Sequence, residues 1–361
     1  MKFSRRSVMR LAGLVGTGAA FSFDSLTSAG AATPVKVTLP WLPMGTFSYA
    51  FVAKKMGFWE KRGLDVTIDR GFGSGKVCVP VDQGQYDFGI LDLGVMMNCA
   101  GRGLNLTAIA GIWPRSPVGI FSLKEKNLKD PKQLEGKRVA FDVGSADFQL
   151  WPAFVKANGI EDQKVNKIMM DGDSIIKAMV DKQVDAVGNF YGDIAPALWS
   201  LGLDFNVLLY DDFGVKLYSN VLACKNSMIE KRPELCESFV TGLMEGLRYV
   251  YLNPERSVDI HLESVKELQG GTVSNKKVVE YGQAVSTGLG MVPSFKDKGL
   301  GYMDSASIAA TADTVTKYMG VRGMPELSQL YSNKFVGPVK LSDQEWSDVS
   351  GRSEKYVPRH L

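Results

Sequence analysis

The chain has 361 residues, 45% of them hydrophobic and 22% charged, which supports two modest α/β cores and excludes a disordered or low-complexity chain. Its formal charge of +3 resides in residues 1–31, where Lys2, Arg5, Arg6 and Arg10 face the single acid Asp24. The remainder is balanced and has no polybasic run, so nucleic acid is not an expected partner.

The chain opens with Ser4-Arg5-Arg6-Ser7-Val8-Met9-Arg10, a twin-arginine pattern. A weakly apolar run over 11–23 and the small residues Ala29-Gly30-Ala31 follow. Residues 1–31 therefore read as a twin-arginine signal peptide, and a periplasmic protein is the expected product. No run is long enough to span a bilayer, and no Cys near the cleavage site offers a lipid anchor. The cysteines are Cys78, Cys99, Cys224 and Cys236. None forms a CxxC pair and no His is near, so zinc is not expected. Buried free thiols are the expected state, with Cys78–Cys99 pairing as the alternative.

In chain order, a strand over 35–39 leads into the loop Trp41-Leu42-Pro43-Met44-Gly45-Thr46-Phe47, punctuated by Pro and Gly. A helix over 48–61 and a strand over 66–68 follow. In GFGSGKVCVPVDQGQYDFGILDL, residues 71–93, Ser74 reads as the N-cap of a helix that Gly84 ends, and 88–91 as a buried strand. A helix over 94–103 and a strand over 106–113 complete the first half. Residues 118–123 are expected to cross to a second lobe. Asp130-Pro131 reads as N-cap and first residue of a short helix. The second half then repeats the plan, with strands over 139–143, 165–170, 185–190 and 205–210. Its helices are expected over 145–158, 174–182 and 193–201. Alternation of strands and helices implies largely parallel sheets, with the loops after the strands converging on one edge.

Three motifs carry a resemblance. The GS…DFGI stretch, the string AFVAKKMGFWEKRGLDVTI and the helix pair KNSMIEKRPELCESFVTGLMEGLRYVYLNPERSVDI occur in order, with Gly301-Tyr302-Met303-Asp304 after them. Together they resemble the solute-binding proteins of thiamine-precursor, taurine, alkanesulfonate and nitrate importers, over about residues 35–320. The resemblance implies an α/β, two-lobed periplasmic binding protein fold of type 2, each lobe a mostly parallel sheet flanked by helices, with ligand in the cleft. Lobe 1 is expected over 32–121 plus 215–361 and lobe 2 over 122–214. An enzyme branch of the wider family makes a pyrimidine from its own histidine and a pyridoxal cofactor.

The residues offer little for catalysis. The two histidines, His261 and His360, lie outside every expected pocket loop, no nucleophile–His–acid set is readable, and no phosphate-binding GxxxxGK[ST] loop is present. No catalytic residue, metal or cofactor is expected. Binding is better served, because the pocket loops carry aromatic rings that stack flat ligands. The expected ligand-binding residues are Trp41, Phe47, Tyr49, Phe72, Ser74, Asp92, Trp113, Ser145, Asp147, Asp171, Asn189, Tyr191, Asp193, Asp212 and Tyr218. Capping of helix N-termini is the competing explanation for the acids. Ser74 and Ser145 open helices whose N-termini would suit an anion, while Lys76 and Arg115 are the only basic candidates. The pyrimidine-precursor binders carry W-x-P-N-x-x-H in the first loop; here Met44 and Phe47 replace the polar pair, although Asp212-Phe213-Gly214-Val215 and Tyr218 resemble that branch.

The expected function is the substrate-binding component of an ABC importer, not an enzyme. It would capture a small flat aromatic or heterocyclic solute, acid-bearing and pyrimidine-like ones included, and deliver it as a monomer to the transmembrane permease subunit. The alternatives are a binder of alkanesulfonate, taurine or nitrate and, in another class, a pyrimidine precursor synthase.

Overall fold

The computed structural model of the chain describes residues 31–266 and 274–358. The expected twin-arginine leader, up to residue 30, and His360 lie outside the described residues.

Among the described residues, ten strands form two five-stranded sheets. The strands are β1 (Thr33–Thr38), β2 (Leu64–Asp69), β3 (Phe88–Asp92), β4 (Leu106–Gly111), β5 (Val118–Leu123), β6 (Arg138–Phe141), β7 (Asn166–Met169), β8 (Ala186–Phe190), β9 (Phe205–Leu209) and β10 (Asn220–Lys225). The first sheet has the order β2-β1-β3-β10-β4 and the second β7-β6-β8-β5-β9. In the first, β1 runs parallel to β2 and β3, while β10 lies antiparallel between β3 and β4. In the second, β6 runs parallel to β7 and β8, while β5 lies antiparallel between β8 and β9.

The two sheets thus share one plan, and the antiparallel member of each is the strand that follows a passage between them. Residues 118–123, read from the sequence as the crossing, are themselves β5, with Val118 opposite Phe190 and Gly119 opposite Leu209. The chain leaves the first sheet at Gly111 and enters the second at Val118; it returns between Leu209 and Asn220. The sequence reading did not identify β10 as a strand.

Strands β3, β4 and β5 are buried at every residue, as expected of strands covered on both faces. The predicted helix over 48–61 is shorter: it spans Ser48–Lys55, and Gly57, at φ +68°, turns the chain into a short 3-10 segment, Glu60–Arg62. The long helix Pro233–Leu252 buries the predicted face of Leu235, Phe239, Leu243, Leu247 and Val250. Phe239 stacks on Phe88 at 4.1 Å and on Trp59 at 4.8 Å, and the Trp59 indole N–H donates to the Phe239 carbonyl at 2.9 Å. Burial of one such ring is worth about 1.5–3 kcal/mol, so this stack is a principal anchor of the helix.

The helix Lys276–Gly290 packs on the helix Tyr191–Ser200, where Trp199 meets Tyr281 edge-on at 5.6 Å. The described residues from 32 onward form one compact unit. No helix of the described residues is long and apolar enough to cross a membrane.

Candidate ligand cleft

The loops after β1, β2, β4 and β6, the end of β8 and the start of β10 face a common space, with the first turns of the helices Ser74–Asp82, Ala146–Asn158, Gly172–Val180 and Tyr191–Ser200 around it. In an open parallel sheet the carboxyl edge exposes backbone N–H groups and loop side chains together. The walls stand close together, leaving a narrow cavity of about 20 Å³ between them. From the first sheet's side come Pro40, Trp41, Phe47, Gly73, Ser74, Trp113 and Asn220. From the second come Asp142, Ser145, Ala146, Asp147, Ile175, Gly188, Asn189, Phe190 and Asp193.

The apolar wall is aromatic. Phe47 stacks on Trp113 with 5.8 Å between ring centres and 25° between planes, and Phe190 lies 6.2 Å beyond Trp113. The Trp113 indole N–H is held by the Ser286 hydroxyl at 3.0 Å, which fixes the ring. The Ile112 and Trp113 main-chain N–H groups both donate to the Asn220 carbonyl, tying the loop after β4 to β10.

The polar wall is acidic. Asp142 spends its carboxylate on the chain, accepting from Gly144 N at 2.7 Å and Gly172 N at 3.1 Å. Asp193 accepts from the Thr46 hydroxyl at 3.4 Å, a contact that joins the two sides. Asp147 has one oxygen, Oδ2, with no hydrogen-bond partner. That oxygen lies over Gly188, where a Cβ would stand only 2.4 Å from it. Burial raises Asp147 to about 7, with Ser145 opposing the rise and the neighbouring charges of Asp142 and Asp193 adding to it. Burial likewise raises Asp193 to about 7, opposed by the Thr46 hydroxyl. The Asn220 side-chain oxygen, also buried, has no partner either.

Eight of the expected residues meet here: Trp41, Phe47, Ser74, Trp113, Ser145, Asp147, Asn189 and Asp193. The others lie elsewhere. Tyr49 and Tyr218 are buried in the core. Tyr191 turns back onto Phe121, Phe205 and Trp199. Phe72 is 55% exposed beneath the Arg70 guanidinium. Asp92 caps the helix Leu93–Ala100, accepting from Val95 N and the Ser219 hydroxyl, and capping accounts for it. Asp171 and Asp212 are exposed, the first before the helix Gly172–Val180 and the second within the turn Asp211–Phe213.

Ser74 does not cap its helix. The helix begins at Ser74 itself, and the hydroxyl accepts from Asp92 N at 3.1 Å, locking the loop to the end of β3. Ser145 donates instead to the Asp142 carbonyl at 2.7 Å. Neither basic candidate enters the lining. The Arg115 guanidinium donates to the Gly288 carbonyl at 2.9 Å. Asp142, Ile175 and Asn220 were not anticipated. Asp142 sits where a strand runs into Gly144-Ser145, a signal legible in sequence, whereas Asn220 enters on a strand whose pairing is wholly non-local.

Residues 45–257 match the NMT1/THI5-like family. A Brucella abortus protein, provisionally named as a binding protein, is 28% identical over 227 residues, 61% of this chain and 68% of that one. The riboflavin-binding protein RibY of Chloroflexus aurantiacus is 23% identical over 313 residues, 84% of this chain and 86% of that one. Among solved structures, the alkanesulfonate-binding protein SsuA from Xanthomonas axonopodis pv. citri, bound to MOPS, superposes with a TM-score of 0.63 at 16% identity, covering 83% of this chain and 99% of its own. With its two matching sheets and the cleft between them, the chain belongs to the NMT1/THI5-like family and carries the periplasmic-binding-protein fold.

Proposed function

We infer that the protein is the extracytoplasmic substrate-binding component of an ATP-driven importer. It captures a small flat aromatic or heterocyclic solute between two lobes and presents it, closed, to a membrane permease. One observation carries this reading: a single cleft whose lining comes from both sheets, with the aromatic wall of Phe47, Trp113 and Phe190 on one side and fixed polar groups on the other. Such a lining holds a ring by stacking and orients it by hydrogen bonds. The riboflavin named for RibY is itself a flat heterocycle, which supports the class of solute.

In this reading lobe 1 is the first sheet with the C-terminal helices and lobe 2 is the second sheet. The hinges are the two passages, 112–117 and 210–219. Closure is driven by contacts that the solute makes only when both walls reach it. The leader over 1–31 exports the folded chain by the twin-arginine route to the periplasm without a lipid anchor, and the protein works as a monomer. In this reading it performs no chemistry on the solute, and the absence of histidine, cysteine and lysine from the cleft lining supports that. His261, hydrogen-bonded to Ser48, belongs to the core.

The test is a thermal-shift screen of the purified protein against flavins, pyrimidines, aromatic amines, aromatic acids, sulfonates and nitrate. A flat ring compound is expected to raise the melting temperature, since a ligand present at one hundred times its Kd stabilises by about 2.7 kcal/mol. Failure of every ring compound, or turnover of a bound one, refutes the reading.

A further inference from the structure

We propose that the cleft selects flat solutes bearing a cationic, hydrogen-bond-donating nitrogen group of the amidinium or aminopyridinium kind, and rejects carboxylates, sulfonates and nitrate. The proposal rests on the solute-binding reading and narrows it. Its basis is the pairing of an aromatic slot with buried oxygens that lack donors.

Three carboxylates, Asp142, Asp147 and Asp193, line the space, and no Lys, Arg or His does. The Asp147 side chain belongs to a residue only 1% exposed, and its Oδ2 has no partner. The Asn220 side-chain amide oxygen, Oδ1, in a residue equally buried, has none. An amide can exchange acceptor for donor by turning over, whereas a carboxyl group does so only by taking up a proton, so in its ionised form Asp147 carries the argument. A buried charge without a counter-charge or donors is strongly unfavourable. A cation seated against Asp147 supplies both.

The helix N-termini point the same way. The helices Ala146–Asn158 and Tyr191–Ser200 begin at the cleft, and each carries an acid in its first turn, Asp147 and Asp193. Their positive ends already face the protein's own carboxyl groups. An anionic solute would therefore meet three carboxyl groups and no cation. Among the described residues no acid, His or Cys cluster is placed to hold a metal ion, so an organic cation is the counter-charge that would take the place of the proton. The groups facing Asp147 are Ser145 just before it, Asp142 from the loop after β6, Asp193 from the helix Tyr191–Ser200 and the Tyr210 hydroxyl, which donates to the Asp147 main-chain carbonyl at 3.0 Å. Lys76 lies outside the lining, with its methylenes beside Gly144.

The experiment is isothermal titration at pH 7.5 with three probes of one shape: benzamidine, benzamide and benzoate. Benzamidine is expected to bind at least tenfold more tightly than benzamide, with no detectable heat from benzoate. Asp147→Asn is expected to bring the benzamidine-to-benzamide ratio close to one, and Asp193→Asn to lower it in the same direction. Both replacements keep the side-chain shape. Benzamide or benzoate binding as well as benzamidine overturns the proposal, as does an unchanged ratio in Asp147→Asn. If none of the three binds, the proposal also fails. A flat neutral solute that still raises the melting temperature would then leave the solute-binding reading standing.

Discussion

Gly73 and Gly144 meet backbone to backbone across the cleft: a Cβ on Gly73 would lie 2.1 Å from the Gly144 carbonyl oxygen. Gly73 also holds φ at +105°, in territory that essentially only glycine occupies, where another residue costs about 1–3 kcal/mol. Next to it, Gly75 N donates to the same carbonyl at 3.1 Å. Gly73→Ala is therefore expected to weaken solute capture at least tenfold and to lower the melting temperature. Gly75→Ala, whose Cβ would stand 3.3 Å from that oxygen at an ordinary helical position, is expected to change either far less. Titration and thermal melting of the two variants side by side provide the check.

The cleft acids set a pH dependence of the unliganded protein. Asp147 and Asp193 are raised to about 7 from an ordinary 3.8. The folded state therefore holds protons that the unfolded state has released, and stability falls as pH rises from about 4 to 7, then levels. Asp185, held well below its ordinary value by the Arg138 guanidinium, acts in the opposite sense and only in stronger acid. Asp147→Asn is expected to stabilise the unliganded protein at pH 8 by roughly 1–3 kcal/mol and to do little at pH 3.5, below the ordinary carboxyl value. Denaturant unfolding at the two pH values decides it.

Phe190 and Tyr191 separate the two functions of adjacent aromatics. Phe190, at the end of β8, stands beside Trp113 in the cleft, while Tyr191 packs against Phe121 behind it. Phe190→Ala is expected to weaken capture of a flat solute about tenfold, in line with the 1–3 kcal/mol of a stacked ring. Tyr191→Phe is expected to leave capture unchanged. Equal losses in both would place the slot elsewhere.

The four thiols form two neighbouring pairs, Cys78 beside Cys99 and Cys224 beside Cys236. All four are free. Mild oxidation is expected to yield Cys78–Cys99 and Cys224–Cys236 links and no others, each worth about 2–4 kcal/mol. Peptide mapping after alkylation tests the pattern; a crossed link would contradict it.

How far the sequence could be read follows from the range of each interaction. The βα order was legible because it is written in local apolar periods and glycine stops, and the buried face of Pro233–Leu252 was read residue by residue. The ends of strands were harder. The alternation that turns Phe190 into the cleft and Tyr191 away depends on where β8 stops, and one residue of error exchanges them. Asn220 escaped notice because β10 inserts between β3 and β4, a pairing across more than a hundred residues that no local pattern announces. The acids Asp92 and Asp147 look alike in sequence, each at the head of a helix after a strand. Only the partners tell them apart: Asp92 is filled by Val95 and Ser219, and Asp147 keeps an oxygen open.

Two of the six tryptophans, Trp41 and Trp113, stand in the wall of the cleft. Trp41 reaches across it, with its ring 1.9 Å from where a methyl on Gly172 would sit. Trp59 and Trp151 are fixed elsewhere by their own hydrogen bonds. The molecule therefore carries a built-in optical gauge. Parting the halves would wet Trp41 and redden its emission, and a ring slipped against Trp113 would quench it, so opening and filling can be followed separately in unlabelled protein.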